Sequence, residues 1–197
     1  MGETPNTGCE GWDNGACTGT PHCPPRCPRF IDKTGVRWTL RTATMEDADR
    51  LAPLYAAFGA ADRTLGVPPA VPRRRRSWIE DSLTAGHNII AEGDEQLVGH
   101  VHYTPADAAR PELAVFVHPA YHNRGIGTEL CKQAAAAAVD AGCDALELHV
   151  SRGNRAALTV YRRLGFEVVD TAGSVRMELP LTEQTNTAVC APPAHQS

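Results

Sequence analysis

Apolar and polar positions alternate over residues 36–41, with Val36, Trp38 and Leu40 set against Arg37, Thr39 and Arg41. That period of two predicts a half-buried strand. Thr44 then stands three residues before Asp47, the spacing of a capping box, and Leu51, Leu54, Tyr55 and Phe58 follow at helical spacing as one apolar stripe. A proline-rich loop over 66–72 and four consecutive arginines, Arg73 to Arg76, lead into a second helix expected at 77–84. Residues 88–92 and 96–103 read as a hairpin turned at Gly93-Asp94-Glu95, and 112–117 as the next antiparallel strand. Residues two apart on a strand share a face, so His100 and His102 point the same way. An alanine-rich helix is expected over 127–141, stopped by Gly142, and a strand over 145–150 with Leu146, Leu148 and Val150 inward. Asn154 is placed to cap a short helix that Gly165 ends, and 175–181 supplies a last strand.

The two ends carry no such period. Residues 1–34 are rich in Pro, Gly, Thr and Cys, and 182–197 show no pattern, so one α/β (α+β) domain is expected over 35–181 between two disordered tails. At 197 residues the chain is long enough for one well-buried core and short for two. A net charge of -4 argues against general binding to nucleic acid or membrane surfaces, and neither a membrane span nor the apolar core of a signal peptide is visible. A cytoplasmic protein is expected. The four arginines tempt a nucleic-acid reading, but a solvated helix start is the commoner outcome of such a run.

Seven cysteines fall into two groups, Cys9, Cys17, Cys23 and Cys27 near the N-terminus and Cys131, Cys143 and Cys190 further on. Cys23 and Cys27, with His22 beside them, offer part of a zinc site. The four spacings do not form two short paired knuckles, so no metal is expected.

The stretch that carries chemistry begins where the strand at 112–117 runs into His122-Asn123-Arg124-Gly125-Ile126-Gly127-Thr128 and the alanine-rich helix. Two glycines separated by one residue let a backbone approach an anion, and the free N–H groups at a helix start point at it. A dinucleotide fingerprint would need a third glycine where Leu130 stands, and a Walker loop would need a Gly-Lys-Ser/Thr that this chain lacks. A second element follows one helix and one strand later, Asn154-Arg155-Ala156-Ala157-Leu158-Thr159-Val160-Tyr161-Arg162-Arg163-Leu164-Gly165-Phe166. The first segment resembles the Gln/Arg-x-x-Gly-x-Gly/Ala acyl-CoA loop of the GCN5-related N-acetyltransferases (the GNAT family), and the second resembles that family's Asn-x-x-Ala-x-x-x-Tyr-x-x-x-Gly-Phe helix. His122 departs from the family's Gln or Arg at the first loop position.

The resemblance implies a GNAT fold, a central mixed and mostly antiparallel sheet flanked by helices. It implies acetyl-CoA as co-substrate, a small-molecule or peptide amine as acceptor, and leaves room for a homodimer. By the same resemblance the backbone of Val115 and Val117 holds the pantetheine arm where two strands splay. The residues from His122 through Asn123, Arg124, Gly125, Ile126 and Gly127 to Thr128 hold the pyrophosphate, and Asn154 bonds the pantetheine amides. Tyr161 matches the general acid that protonates the departing thiolate, and Glu112 is the candidate base, with His102, His118 and Tyr103 as other candidates. A non-catalytic acyl-CoA sensor built on the same loop is the alternative function, and a nucleic-acid-associated protein using Arg73 to Arg76 and a zinc-bound N-terminal tail is a third.

Overall fold

The structure is a computed structural model, and it describes residues 17–20, 23–59, 69–93 and 96–192. Among these residues eight strands form one sheet in the order β1-β2-β3-β4-β5-β6-β8-β7. Their spans are β1 Arg29–Ile31, β2 Arg37–Thr42, β3 His87–Glu92, β4 Leu97–Thr104, β5 Glu112–Val117, β6 Ala145–Val150, β7 Glu167–Asp170 and β8 Val175–Pro180. Every neighbouring pair is antiparallel except β5 and β6, which run parallel. The sheet is therefore mixed and mostly antiparallel, as expected. Among the described residues five α-helices flank it: α1 Ala48–Ala56, α2 Pro72–Ala85, α3 Ile126–Asp140, α4 Arg155–Arg163 and α5 Glu183–Cys190.

The alternation read from the sequence sorts side chains onto the two faces. Leu113, Val115 and Val117 of β5 join the core built on α3, with Leu130, Ala134 and Ala138. Ala114 and Phe116 join a second core under α1 and α2, with Leu51, Leu54, Tyr55 and Ile79. Small residues along α3 let that helix lie close on the sheet; a side-chain carbon at Gly99 would stand 2.7 Å from Leu130 Cδ1. The packing fixes where the N-terminus of α3 sits.

Several boundaries move. The capping box at Thr44 forms, with Thr44 N–H donating to Asp47 Oδ2 at 2.9 Å, but a short 3-10 turn over Met45–Asp47 precedes α1. Helix α2 starts at Pro72, which needs no N–H in a first turn, so Arg73 to Arg76 lie inside the helix and not ahead of it. Arg76 pairs with Asp49 and Glu80, and Arg75 donates to the carbonyl of Ala70 at 2.9 Å. Part of the 66–72 loop and of the Gly93-Asp94-Glu95 turn lies outside the described residues, as do Cys9 and His22.

The segments expected to be disordered tails contain ordered elements. Strand β1 pairs with β2 through Arg29↔Thr39, Phe30↔Trp38 and Ile31↔Arg37. Arg26 is buried and forms a bidentate ion pair with Glu129 of α3 at 2.6 and 3.0 Å, and Gln133 Nε2 donates to the carbonyl of Cys27 at 2.5 Å. At the other end Thr182 caps α5, accepting from Thr185 N–H at 3.3 Å, and Val189 packs into the core. Both ends were silent in periodicity because single anchors, not repeated apolar faces, hold them. No helix among the described residues is long and apolar enough to cross a membrane.

Candidate active site

Strands β5 and β6 register at one pair, Glu112↔Glu147, and part beyond it. His118 N–H donates to Val98 O at 2.8 Å, so alternate residues back along β5 turn their main-chain groups toward β4. Val117 and Val115 then turn theirs toward the opening between β5 and β6. Along that edge the strand groups have no strand partner among the described residues.

The glycine loop lies at the open end of the fork. Asn123 (φ 62) and Gly125 (φ 95) are both left-handed and curl the chain into α3, where Gly125 is the residue before the first helical turn. The first bond of that helix runs from Glu129 N–H to Gly125 O at 3.1 Å. The N–H groups of Ile126, Gly127 and Thr128 have no carbonyl one turn back to bond, and the helix dipole adds a partial positive charge there. A side-chain carbon at Gly127 would stand 3.3 Å from Val117 Cγ2, so glycine keeps the helix start and the strand end in contact. Backbone donors at a helix start beside an open strand edge can receive an anion and, alongside it, an extended chain.

Two side chains of the loop are engaged within the protein. His122 Nε2 lies 2.8 Å from the carbonyl of Val117, which turns the imidazole back onto the strand end. Arg124 is held by the buried Asp32 of the β1–β2 hairpin, through Nε at 2.6 Å and Nη2 at 2.5 Å. Its guanidinium also lies 4.9 Å over the Tyr121 ring and 5.4 Å over Trp38. Sequence reading passed over Asp32 and its hairpin. The signal was present as Asp32-Lys33-Thr34-Gly35, an aspartate turn closed by a left-handed glycine between apolar pairs.

Tyr161 lies on α4, whose start is capped by Asn154 Oδ1 accepting from Ala157 N–H at 3.1 Å. Asn154 thus fills the structural role expected of it and keeps its amide N–H groups. The Tyr161 ring packs 5.5 Å from Phe166, and burial, with Cys131 beside it, pushes the phenol above its ordinary pKa. The hydroxyl is therefore protonated across the physiological range, the state a proton donor needs.

Glu112 is exposed, at the closed end of the fork. Register across β4 and β5 sets Glu112 opposite Thr104, Ala114 opposite His102 and Phe116 opposite His100, so these side chains share the face under α1 and α2. Of the other base candidates, His118 accepts from Ala120 N–H at 3.2 Å and caps a turn. Tyr103 is buried, and burial pushes its phenol up to about 12, so it stays protonated at neutral pH and has no phenolate to act as a base. His100 is structural: Asn88 Oδ1 stands 3.0 Å from its Nε2 and the Tyr55 hydroxyl meets its Nδ1, the pattern of a neutral ring. His102 is buried among Trp78 and Phe116, its Nδ1 has no hydrogen-bond partner among the described residues, and burial lowers it to about 4. Among the described residues no group of three or more His, Cys, Asp or Glu could hold a metal ion.

The mixed sheet, with a glycine-led helix start at α3, defines the class of the fold. The model of the acetyltransferase (GNAT) family matches residues 45–166, and the chain belongs to that family. It is 37% identical to the mycothiol acetyltransferase of Nocardia farcinica over 146 residues, which is 73% of this chain and 45% of that protein. The chain thus spans less than half the length of that relative. Among solved structures it resembles the GNAT domain of S. lividans PAT, with a TM-score of 0.68 and 21% identity over 77% of this chain and 95% of that one. It also resembles yncA of Salmonella typhimurium, solved with its cofactor acetyl-CoA, with a TM-score of 0.59 and 22% identity over 74% and 95% of the two chains.

Proposed function

We propose that this chain moves an acetyl group from acetyl-CoA to a primary amine on a small molecule or peptide by direct transfer. The observation that carries the reading is the β5–β6 fork opening onto the Gly125–Gly127 helix start. Each remaining step is assigned to a residue of β5, the glycine loop or α4. The amine nitrogen attacks the thioester carbonyl, the carbon–sulfur bond breaks, and Tyr161 gives its proton to the departing thiolate. Val115 and Val117 orient the donor through their backbone groups, and the N–H groups from Asn123 to Thr128 take the pyrophosphate. Glu112, on the face shared with His102 and Phe116, receives the proton of the acceptor ammonium, and the second proton that the nitrogen sheds as the amide forms returns to Tyr161.

The test pairs calorimetric titration of acetyl-CoA with an assay of thiol release over a panel of amines. Tyr161→Phe is expected to bind acetyl-CoA within about two-fold of the unaltered chain and to lose 10²–10⁴-fold in turnover, the usual contribution of general acid–base catalysis. Glu112→Gln is expected to bind acetyl-CoA normally and to lose about 10²-fold or more in turnover, the usual contribution of general acid–base catalysis. Binding without turnover on every amine would instead favour a non-catalytic acyl-CoA sensor. No binding at millimolar ligand would end the reading.

A further inference from the structure

The family match begins at residue 45, yet the β1–β2 hairpin ahead of it lies against the glycine loop. Lys33, at the hairpin turn, donates its backbone N–H to the carbonyl of Arg124 at 3.1 Å. A side-chain carbon at Gly125 would meet Phe30 Cζ at 3.4 Å and Lys33 Cε at 3.9 Å. The Lys33 stem therefore runs alongside Gly125, and its ammonium stands one bond beyond Cε.

The charges around the loop are divided unevenly. Asp32, whose side chain is fully buried, binds Arg124 and holds that cation against Tyr121 and Trp38. Lys33 is exposed, and no carboxylate among the described residues pairs with it. The loop's own arginine is thus committed to fixing the hairpin, and the hairpin in return sets a lysine beside the loop. A lysine ammonium is a compact charge on a flexible stem, suited to a phosphate whose oxygens turn.

We infer that Lys33 is a phosphate-binding residue of the acyl-CoA site, so that the β1–β2 hairpin is part of the co-substrate cradle. The inference rests on the proposed function and assigns one more residue to the same site. The ligand chemistry is a phosphate of coenzyme A, either the pyrophosphate on the helix start or the 3′-phosphate of the adenosine.

The experiment is calorimetric titration of the full chain, unaltered and as Lys33→Ala, Lys33→Glu and Lys33→Arg, with acetyl-CoA and with its 3′-dephospho analogue at low and moderate salt. Lys33→Ala is expected to weaken acetyl-CoA binding about five-fold at low salt, the upper end for one exposed charge pair. Lys33→Glu is expected to weaken it further, Lys33→Arg to restore most of it, and added salt to shrink the differences. Thermal unfolding should not move, because the side chain is exposed. If the penalty disappears with the dephospho analogue, the 3′-phosphate is the partner; if it persists, the pyrophosphate is, and either supports the assignment. Tight binding by the unaltered chain with no change in Lys33→Glu overturns this inference alone. No binding by the unaltered chain overturns the proposed function together with it.

Discussion

Replacing Asp32 by Asn would test how the N-terminal hairpin and the glycine loop are joined. Asp32 Oδ1 accepts from Thr34 N–H (2.8 Å), Thr34 Oγ1 (2.7 Å) and Val36 N–H (3.1 Å). Oδ2 accepts from Trp38 Nε1 (2.8 Å) and from Arg124 Nε and Nη2 (2.6 and 2.5 Å). Whichever oxygen becomes an amide nitrogen, its two N–H groups face three donors and the charge opposite Arg124 is gone. Breaking a buried ion pair on one side costs about 3–5 kcal/mol, and the lower end applies because Arg124 keeps some solvent contact. The change is read by urea unfolding followed by circular dichroism, with the m-value unchanged. Asp32→Asn should lose about 3 kcal/mol by the same reckoning and weaken acetyl-CoA binding, because Gly125 loses its backing. A loss below about 1 kcal/mol with binding intact would refute the reasoning, since that is the scale of an exposed pair. The pH dependence has a definite sign. Burial pushes the Asp32 carboxyl up, but the hydrogen bonds from Trp38 and Thr34 outweigh it and hold the group well below the usual carboxylate range. Its contribution is present above the unfolded value near 3.9 and fades as pH falls below it. The unaltered chain should therefore lose stability below about pH 4 more steeply than Asp32→Asn does.

Gly125→Val places a β-branched residue at φ 95, which L side chains rarely adopt; the neighbours Phe30 and Lys33 leave ordinary contact distance, so the strain lies in the backbone. Such strain is of order 1–3 kcal/mol, and the checkable outcome is at least a ten-fold weaker acetyl-CoA titration in a chain that still folds. Arg26→Met strands the buried Glu129 carboxylate and should cost about 3–5 kcal/mol in urea unfolding, while Arg26→Met/Glu129→Leu recovers most of it. Deleting residues 1–28 should lower the unfolding midpoint for the same reason, and an unchanged midpoint would show that the Arg26 contact is dispensable.

The sheet and its helices were legible because burial on one face repeats. Val36 to Arg41 shows the alternation directly, whereas β3 and β4 are buried on both faces and were legible as short apolar runs bounded by turn residues; the observed strands differ from the expected ones by at most one residue at either end. Strand β7 was missed because its four residues are all exposed, so no inward face marks it. Strand β1, with three residues, and helix α5, with one buried side chain, were missed for the same reason. The glycine loop was legible for a different cause: a left-handed residue before a helix leaves its mark as a glycine whatever surrounds it.

The amino-acid sequence by itself determined the class of the fold, the loop with its helix start and the tyrosine on α4, because local periodicity and backbone conformation are written in neighbouring residues. Tertiary structure decided the rest. That Arg124 belongs to Asp32, 92 residues away, that Arg26 closes on Glu129, 103 residues away, and that Glu112 shares a face with His102 depend on which strands lie side by side. Charge pairing across such distances leaves no spacing in the chain, since it is set by the closing of the sheet and not by any local repeat.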